Sequence, residues 1–273
     1  MIIGNKEFDT ENNVYVMGIL NVTPDSFSDG GRYDGVEKAL THAAQMIEEG
    51  VDIIDVGGES TRPGHTQISD QEEIDRVVPV IRAIKGKYDI PVSIDTYKSA
   101  VAEAAILAGA DLVNDIWGFK YDPKMAEIVA KYKVACCLMH NRENSEYEDF
   151  LGEFIGDMWE CAEIARAAGV EADKIILDPG VGFGKTYEMN LSIINHMEIL
   201  NSLGYPVLLG TSRKSVIGLS LDLPVSEREE GTLVTTVFGV QKGASFVRVH
   251  DVEKNKRAIK MTKSILNESK YEE

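Results

Sequence analysis

Short apolar runs alternate with amphipathic segments along the whole chain. The first run, residues 14–20, is typical of a strand that is buried on both faces. A polar loop follows at residues 21–31, where Pro24 and two adjacent glycines do not suit a sheet. Over residues 35–50 apolar side chains recur at helical spacing, which predicts a helix that ends at Gly50. The first fifty residues therefore predict one unit of strand, loop and helix.

The same unit occurs seven more times. The further predicted strands are residues 51–56, 92–94, 111–113, 134–139, 174–177, 206–209 and 245–249. The further predicted helices are residues 70–86, 98–108 and 123–131, a long helix ending near Gly169, residues 187–203, a region interrupted near Pro224 that ends at about Lys242, and residues 252–267. Strands and helices in strict alternation predict a parallel sheet with both faces covered.

Eight such units in a chain of 273 residues have the size of a closed (β/α)8 barrel, or TIM barrel. A doubly wound open sheet is the alternative. Polar residues follow every predicted strand, and this even distribution favours the barrel, because the carboxyl ends of all its strands meet at one mouth. No stretch has the composition of a linker, so we predict one domain over residues 1–273.

Charge and composition narrow the classes of function. The net charge of −17 argues against a general nucleic-acid binder, which needs a basic surface, but local cations can still bind a small anionic substrate. We find neither a signal-peptide core nor an apolar run of the ~20 residues that span a membrane, so we expect a cytoplasmic protein without a membrane partner. The three cysteines form no Cys-x-x-Cys pair, and we expect buried, reduced thiols.

Polar and charged residues collect at the predicted strand ends. These residues are Asn21, Glu59, Thr61, Arg62, Asp95, Asn114, His140, Asp178, Ser212, Arg213, Lys214, Arg248 and His250. Active sites of (β/α)8 barrels lie at this face, so the set predicts chemistry, whereas the alternative for each residue alone is a polar cap on the barrel rim.

Three of these residues, Asp95, Asn114 and Asp178, directly end apolar strands. A carboxylate in that position is partly desolvated, which is costly unless a partner binds it. A ligand rich in N–H donors would be such a partner. These three residues therefore predict one half of a site, made for a heterocycle that carries N–H groups.

The cations predict the other half of the site. Arg62, Lys214, Arg248 and His250 could together bind a phosphate or diphosphate, with arginine giving bidentate contacts. Asn21 offers a neutral oxygen that suits a Mg²⁺ ion, which keeps several waters and bridges phosphate oxygens.

Two other kinds of site fit the sequence poorly. The segment GKT at residues 184–186 follows a predicted strand, as in a phosphate-binding loop, but the full motif needs glycine where Pro179 stands. His42 and His196 fall within predicted helices, and the absence of a His-x-x-x-His or His-Glu-x-x-His pair argues against zinc.

Several motifs resemble those of the dihydropteroate synthases. The segment LNVTPDSFSDGG at residues 20–31 resembles the first loop of that family, and IDVGGESTRPG at residues 54–64 resembles the second. Shorter matches are SIDT at 93–96, ND at 114–115, DPGVGFGK at 178–185, SRKS at 212–215 and RVHD at 248–251. The matches run in order from the first predicted strand to the eighth.

The resemblance implies a (β/α)8 barrel that condenses (7,8-dihydropterin-6-yl)methyl diphosphate with 4-aminobenzoate. The products are 7,8-dihydropteroate and diphosphate, in folate biosynthesis. Members of the family are usually homodimers with Mg²⁺, and sulfonamides resemble their second substrate. The resemblance therefore implies an enzyme that acts on small-molecule substrates and forms a homodimer.

The resemblance also implies a role for individual residues. For the pterin it implies Asp95, Asn114, Asp178 and Lys214; for Mg²⁺ Asn21; for the diphosphate Thr61, Arg248 and His250; and for aminobenzoate Phe183, Pro63, Ser212 and Ser215, with Arg62 closing that site. Among these, the resemblance and the charges together assign catalysis to Asp95, Asp178, Lys214 and Arg62.

Two alternatives share part of this pattern. A pterin-binding methyltransferase barrel would have Asp95, Asn114 and Asp178 but no use for the segment STRP at residues 60–63 or for an anion site at Arg248 and His250. A pterin-binding protein without catalysis is the second alternative, and the presence of Asn21, Arg62, Lys214 and Arg248 argues against it.

Overall fold

The structure is a computed structural model that describes residues 1–22, 32–59 and 67–268. Its strands are β1 (Ile2–Ile3), β2 (Lys6–Glu7), β3 (Tyr15–Asn21), β4 (Ile53–Gly57), β5 (Val92–Asp95), β6 (Leu112–Asp115), β7 (Ala135–Met139), β8 (Ile175–Asp178), β9 (Leu208–Leu209) and β10 (Phe246–Val249). Its helices are α1 (Arg32–Glu48), α2 (Asp70–Lys87), α3 (Ser99–Ala108), α4 (Lys124–Tyr132), α5 (Phe150–Ala167), α6 (Tyr187–Asn195), α7 (Glu198–Asn201), α8 (Ser215–Leu221), α9 (Glu229–Gln241) and α10 (Val252–Leu266), with short 3-10 helices at Ala172–Lys174 and Val225–Glu227.

The eight strands β3 to β10 form one parallel sheet in the order β8-β7-β6-β5-β4-β3-β10-β9. An isolated parallel bridge between Leu177 and Val207 joins β8 to the residues that lead into β9, which brings the two edges together. The predicted (β/α)8 barrel is confirmed, and the open sheet is wrong.

Side chains alternate between the two faces of the barrel wall, as the pleat of a strand requires. Outward residues such as Val16, Val56 and Ile94 pack against the helices in one large apolar cluster. Inward residues near the amino ends of the strands form a second, apolar cluster. It contains Met17, Ile53, Leu112, Ala135, Cys137, Ile176, Leu208 and Phe246, together with Ile3 and Phe8.

Ile3 and Phe8 belong to a hairpin of β1 and β2 that the sequence analysis did not predict, because two-residue strands leave no periodic pattern. The Phe8 ring lies 4.8 Å from Tyr15 and 5.8 Å from Phe246, centroid to centroid, so the hairpin covers the amino end of the barrel. The inward residues toward the carboxyl ends are polar. The barrel is thus closed and apolar at one end and charged at the other.

Local signals place the helices close to their predicted positions. Helix α2 starts after Ser69, whose Oγ accepts the Glu72 N–H at 3.2 Å, and acids in its first turn and lysines in its last turn both suit the helix dipole. The helix predicted over residues 187–203 is instead two helices, α6 and α7, because the backbone at His196 is not helical.

The composition predicted buried, reduced cysteine thiols, and the structure agrees. The three cysteines are buried and none forms a disulfide. Within the described ranges, no helix is both long and apolar enough to cross a membrane.

Candidate active site

The described candidate residues lie at the carboxyl end of the barrel. Asn21, Asp95 and Asp178 are the last residues of β3, β5 and β8. Asn114 and Arg248 lie within β6 and β10, His250 follows β10, Ser212 and Lys214 precede α8, and Ser215 is the first residue of α8. Thr61, Arg62 and Pro63 lie outside the described residues, as does the segment 23–31.

Arg248 is the centre of a buried ion cluster. Its Nε donates to Asp55 Oδ2 at 2.6 Å, and its Nη2 donates to Asp95 Oδ2 at 2.6 Å. Asn114 Nδ2 donates to the same Asp55 oxygen at 3.2 Å. Asp55 is fully buried and Asp95 is 6% exposed, so two carboxylates share one guanidinium in a desolvated space. Burial raises the pKa of Asp95 to about 7, against the opposing attraction of Arg248.

Part of this cluster has no partner. Among the buried polar side-chain atoms that the structure describes, Asp95 Oδ1, Asp55 Oδ1 and Ser93 Oγ make no hydrogen bond. A buried polar atom without a partner costs about 1–3 kcal/mol, and more when the group is charged. A ligand that donates N–H groups at the mouth would remove that cost at Asp95.

Asp178 and Lys214 are two further charged residues at the mouth, and both contact the loop that follows β8. Asp178 Oδ1 accepts the Gly180 N–H at 2.7 Å, and Lys214 Nζ donates to Val181 O and lies 4.7 Å from the centroid of the Phe183 ring. Burial raises the pKa of Asp178 although Lys214 attracts its charge. Burial lowers the pKa of Lys214 to about 8 although Asp178 opposes the shift.

Ser212 and His250 fix each other's orientation. The Ser212 hydroxyl lies 2.9 Å from His250 Nδ1, and the backbone N–H of His250 donates to Ser212 Oγ at 3.2 Å. The hydroxyl carries one donor and two acceptor positions, so it can bond to Nδ1 and to the backbone N–H at the same time in either tautomer of the ring.

Asn21 lies beside an open space at the mouth. A Cβ atom added at Gly57 would be 3.5 Å from Asn21 Oδ1 and 3.6 Å from Asp95 Cβ, so the glycine keeps the space between these two side chains free. The described residues contain no cluster of three or more histidine, cysteine, aspartate or glutamate side chains that could cage a metal. A neutral amide oxygen without such a cage fits a Mg²⁺ ion that takes its other ligands from phosphate and water.

Residues that the sequence analysis did not single out complete the mouth. Tyr97, Ile116 and Met139 form a small buried cluster on which Trp117 and Phe183 pack, which gives the polar site an apolar wall. Asp55 holds Arg248, and its signal in the sequence was an acid inside an otherwise apolar strand. The apolar wall had no comparable signal, because apolar residues occur throughout the strands and loops.

Two strand-end residues belong to other buried networks instead of the central cluster. Glu59 accepts hydrogen bonds from Tyr97 Oη and Lys98 Nζ, each at 2.5 Å. His140 is 1% exposed and contacts Asp157 through Nε2 at 3.0 Å and Lys185 through Nδ1 at 2.7 Å. A polar residue after a strand is therefore not always part of the site.

Comparison with known protein families places this barrel and its charged mouth among the pterin-binding enzymes. The family model described as pterin binding enzyme matches residues 17–250. A dihydropteroate synthase of Clostridium beijerinckii is 61% identical over 267 residues, which cover 97% of this chain and 99% of that protein.

Solved structures agree with this assignment. A dihydropteroate synthase of Clostridium difficile, in the presence of pteroic acid, has a TM-score of 0.93 and 49% identity over 95% of this chain and 99% of its own. That of Xanthomonas albilineans, with 4-aminobenzoic acid, has a TM-score of 0.89 and 39% identity over 93% of this chain and 94% of its own. The chain therefore belongs to the dihydropteroate synthases, which are transferases of folate biosynthesis. It is neither a methyltransferase barrel nor a non-catalytic binding protein.

Proposed function

We propose that this enzyme binds its pterin substrate between the ion cluster of Arg248 and the apolar wall of Ile116, Met139 and Phe183. The observation that carries the proposal is Asp95 Oδ1, a buried carboxylate oxygen with no hydrogen-bond partner in the described residues. A dihydropterin ring presents amino and ring N–H donors along one edge and an apolar face. It would therefore satisfy Asp95, Asn114 and Asp178 at its edge while its face packs on the wall.

The diphosphate half of the site rests on Arg248 and His250, with Thr61 as a further contact from outside the described residues. Arg248 uses Nε and Nη2 for Asp55 and Asp95. Its remaining nitrogen, Nη1, can donate to a phosphate oxygen without breaking either bond. Ser212 orients His250, and a ring that accepts from Ser212 at Nδ1 can donate from Nε2 to the departing diphosphate and stabilise the charge that develops there.

We assign Mg²⁺ to Asn21, because its amide oxygen borders the space that Gly57 keeps free. When bound, the ion would neutralise charge on the leaving diphosphate. Aminobenzoate would lie against Phe183, Ser212 and Ser215, with Pro63 and Arg62 as further contacts. Lys214, which contacts the Phe183 ring, would lie between the two substrates.

The charges favour a reaction in which the C–O bond to diphosphate breaks before the bond to the amine forms. Cations surround the leaving group, and the carboxylates of Asp95 and Asp178 can stabilise the positive charge on the pterin methylene. A direct displacement would need a base to activate the amine. Both ring nitrogens of His140 already have partners, and His250 is assigned to the diphosphate, so neither histidine is available for that role.

Release of diphosphate from the pterin substrate, measured with and without aminobenzoate, tests this proposal. We expect slow but detectable release without the amine, and dihydropteroate formation when it is added. If release strictly requires the amine, and its rate follows amine basicity steeply, displacement is the better account. If no condensation occurs at all, the assignment of the substrates is wrong.

The proposal also includes a homodimer. Apolar side chains are exposed on one face of α9, at Val234 (57%) and Phe238 (42%), and of the adjacent helix α10, at Met261 (61%) and Ile265 (64%). The members of each pair are four residues apart, so each pair forms a stripe on its helix. Light scattering should give twice the monomer mass for the native protein and a smaller mass for Phe238→Glu. A monomeric native protein would contradict the dimer.

Two organisational proposals remain. We place the enzyme in the cytoplasm, which suits three unpaired cysteine thiols, and cell fractionation tests this. We also propose a single domain over residues 1–273, for which one cooperative unfolding transition is the expected result. Two separate transitions would contradict a single domain.

A further inference from the structure

The loop between β8 and α6, residues 179–186, contacts both charged residues of the proposed pterin site. Its Gly180 N–H donates to Asp178, and its Val181 carbonyl accepts from Lys214. Its Phe183 ring lies 4.7 Å from Lys214 Nζ. The position of this loop therefore sets the orientation of Asp178 and Lys214 together.

Lys185, near the end of the loop, makes hydrogen bonds to the backbone of the loop. Its Nζ donates to Gly180 O at 3.0 Å, to Phe183 O at 3.0 Å and to His140 Nδ1 at 2.7 Å. Burial lowers the pKa of Lys185 to about 7, and in the charged form these three bonds use all three protons of the ammonium group. The side chain thus ties two carbonyls of the loop to the end of β7.

His140 is itself held so that it can accept this bond. Its Nε2 contacts Asp157 Oδ2 at 3.0 Å, and Arg142 Nε donates to the same oxygen at 2.6 Å. Burial lowers the pKa of His140 to about 4, so the ring is neutral near pH 7. A neutral ring that donates from Nε2 to Asp157 must accept at Nδ1, which is the atom facing Lys185.

The backbone of the loop fits closely against the segment at residues 140–142. Gly180 and Gly184 have φ angles of +65° and +53°, and a Cβ on Gly180 would come within 1.9 Å of His140 O. A Cβ on Gly184 would come within 2.7 Å of Arg142 O. Tyr147 Oη adds a hydrogen bond to Gly184 O at 2.8 Å. The loop therefore packs closely against residues 140–142, and hydrogen bonds from Lys185 and Tyr147 hold it in that position.

We propose that Lys185 is a positioning residue for pterin binding, which acts through the 179–186 loop on Asp178 and Lys214 and does not touch the substrate. The proposal rests on the pterin site proposed above. His140 and Asp157 support it by presenting a fixed acceptor to the ammonium group.

The test compares Lys185→Met with a matched control. Lys174→Met also removes an ammonium that donates to a backbone carbonyl, Ile2 O at 2.8 Å, but at the amino end of the barrel. Binding of 6-hydroxymethyl-7,8-dihydropterin, an unreactive form of the substrate, is measured by calorimetry below the unfolding temperature. We expect affinity to fall about tenfold in Lys185→Met and to stay within about twofold in Lys174→Met. Equal affinity in native enzyme and Lys185→Met overturns the proposal.

A double-mutant cycle separates positioning from a general loss of stability. If Lys185 acts through the loop, Lys185→Met should weaken binding much less in a Phe183→Ala background than in the native one. Purely additive losses would overturn the proposal. Should Lys185→Met fail to fold, Tyr147→Phe, which loses only the bond to Gly184 O, should weaken binding about threefold with the same non-additivity; unchanged binding overturns the proposal. The native enzyme is also assayed for condensation of the two substrates. If it condenses them, a negative result in the binding experiments overturns only the role of Lys185 and leaves the proposed function in place.

Discussion

Two buried ion clusters lie at the carboxyl end of this barrel, and they differ in how completely they are satisfied. In the first, Lys98 Nζ binds Glu59 at 2.5 Å, Glu73 at 2.8 Å and the Ile68 carbonyl at 2.8 Å. Glu59 also accepts from the Tyr97 hydroxyl and the Ile68 N–H, so both its oxygens are used. In the second, Arg248 binds Asp55 and Asp95, and one oxygen of each carboxylate has no partner among the residues that the structure describes.

The difference separates a cluster that is complete within the fold from the cluster to which we assign ligand binding. A satisfied cluster gains nothing from an added donor, whereas Asp95 gains a hydrogen bond when a ligand donates to it. Both clusters hold two carboxylates and one cation, and both are buried. Charge and burial alone therefore do not distinguish the proposed binding site from the other cluster, whereas the unsatisfied oxygen does.

The largest expected effect is on stability, in the first cluster. Lys98→Met leaves two buried glutamates without their cation, which costs about 3–5 kcal/mol of unfolding free energy. Lys131→Met is the control, because Lys131 is 62% exposed and water screens its bond to Glu103, so the free energy of unfolding should stay close to the native value. Urea unfolding measures both variants. Similar losses in the two would remove the contrast between buried and exposed pairs.

The next effect is on the rate, in the second cluster. Asp95→Asn keeps the shape of the side chain but removes its charge. We expect kcat to fall about a hundredfold, which corresponds to roughly 3 kcal/mol in activation free energy, and we expect substrate affinity to fall by less. The control is Asp52→Asn in the same barrel wall, whose partners Lys6 and Lys256 lie away from the mouth. Steady-state kinetics should show nearly native kcat for Asp52→Asn. A loss confined to KM in Asp95→Asn would mean that the carboxylate only binds.

A smaller effect concerns pH. Burial raises the pKa of Asp95 from its ordinary 3.8 to about 7 in the folded protein. The folded state then binds more protons than the unfolded state, so the stability from this group is present below pH 3.8 and is lost as pH rises through about 7. The stability of native enzyme relative to Asp95→Asn should therefore decrease from pH 4 to pH 7. A difference that is constant with pH would mean that Asp95 stays ionised in the free protein.

The smallest expected signal is that of Mg²⁺. Since Asn21 is neutral and the described residues offer no metal cage, calorimetry should show weak Mg²⁺ binding to the protein alone and stronger binding with diphosphate present. Asn21→Ala should reduce the second signal. Tight binding to the protein alone, unchanged in Asn21→Ala, would contradict the assignment of the ion to this residue.

The sequence by itself determined the barrel and the end of it that carries the site. Both follow from periodicity, because alternation of strand and helix specifies the parallel ring and the last residues of parallel strands share one mouth. Motif resemblance added the family. These are properties of single segments or of their order, and they can be read without knowing which side chains meet.

Only the tertiary structure decided which strand-end residues act together. Arg248 was grouped with the cations for diphosphate, yet it binds Asp55, which is 193 residues away in the chain, and Asp95. His140 lies at the carboxyl end of a strand as Asp178 does, but it supports a loop through Lys185. Pairing of this kind depends on which strands are neighbours around the ring and on side-chain geometry at distances of about 3 Å. Neither leaves a periodic signal in the sequence. Which buried polar atoms have a hydrogen-bond partner and which do not is therefore decided only in the folded barrel.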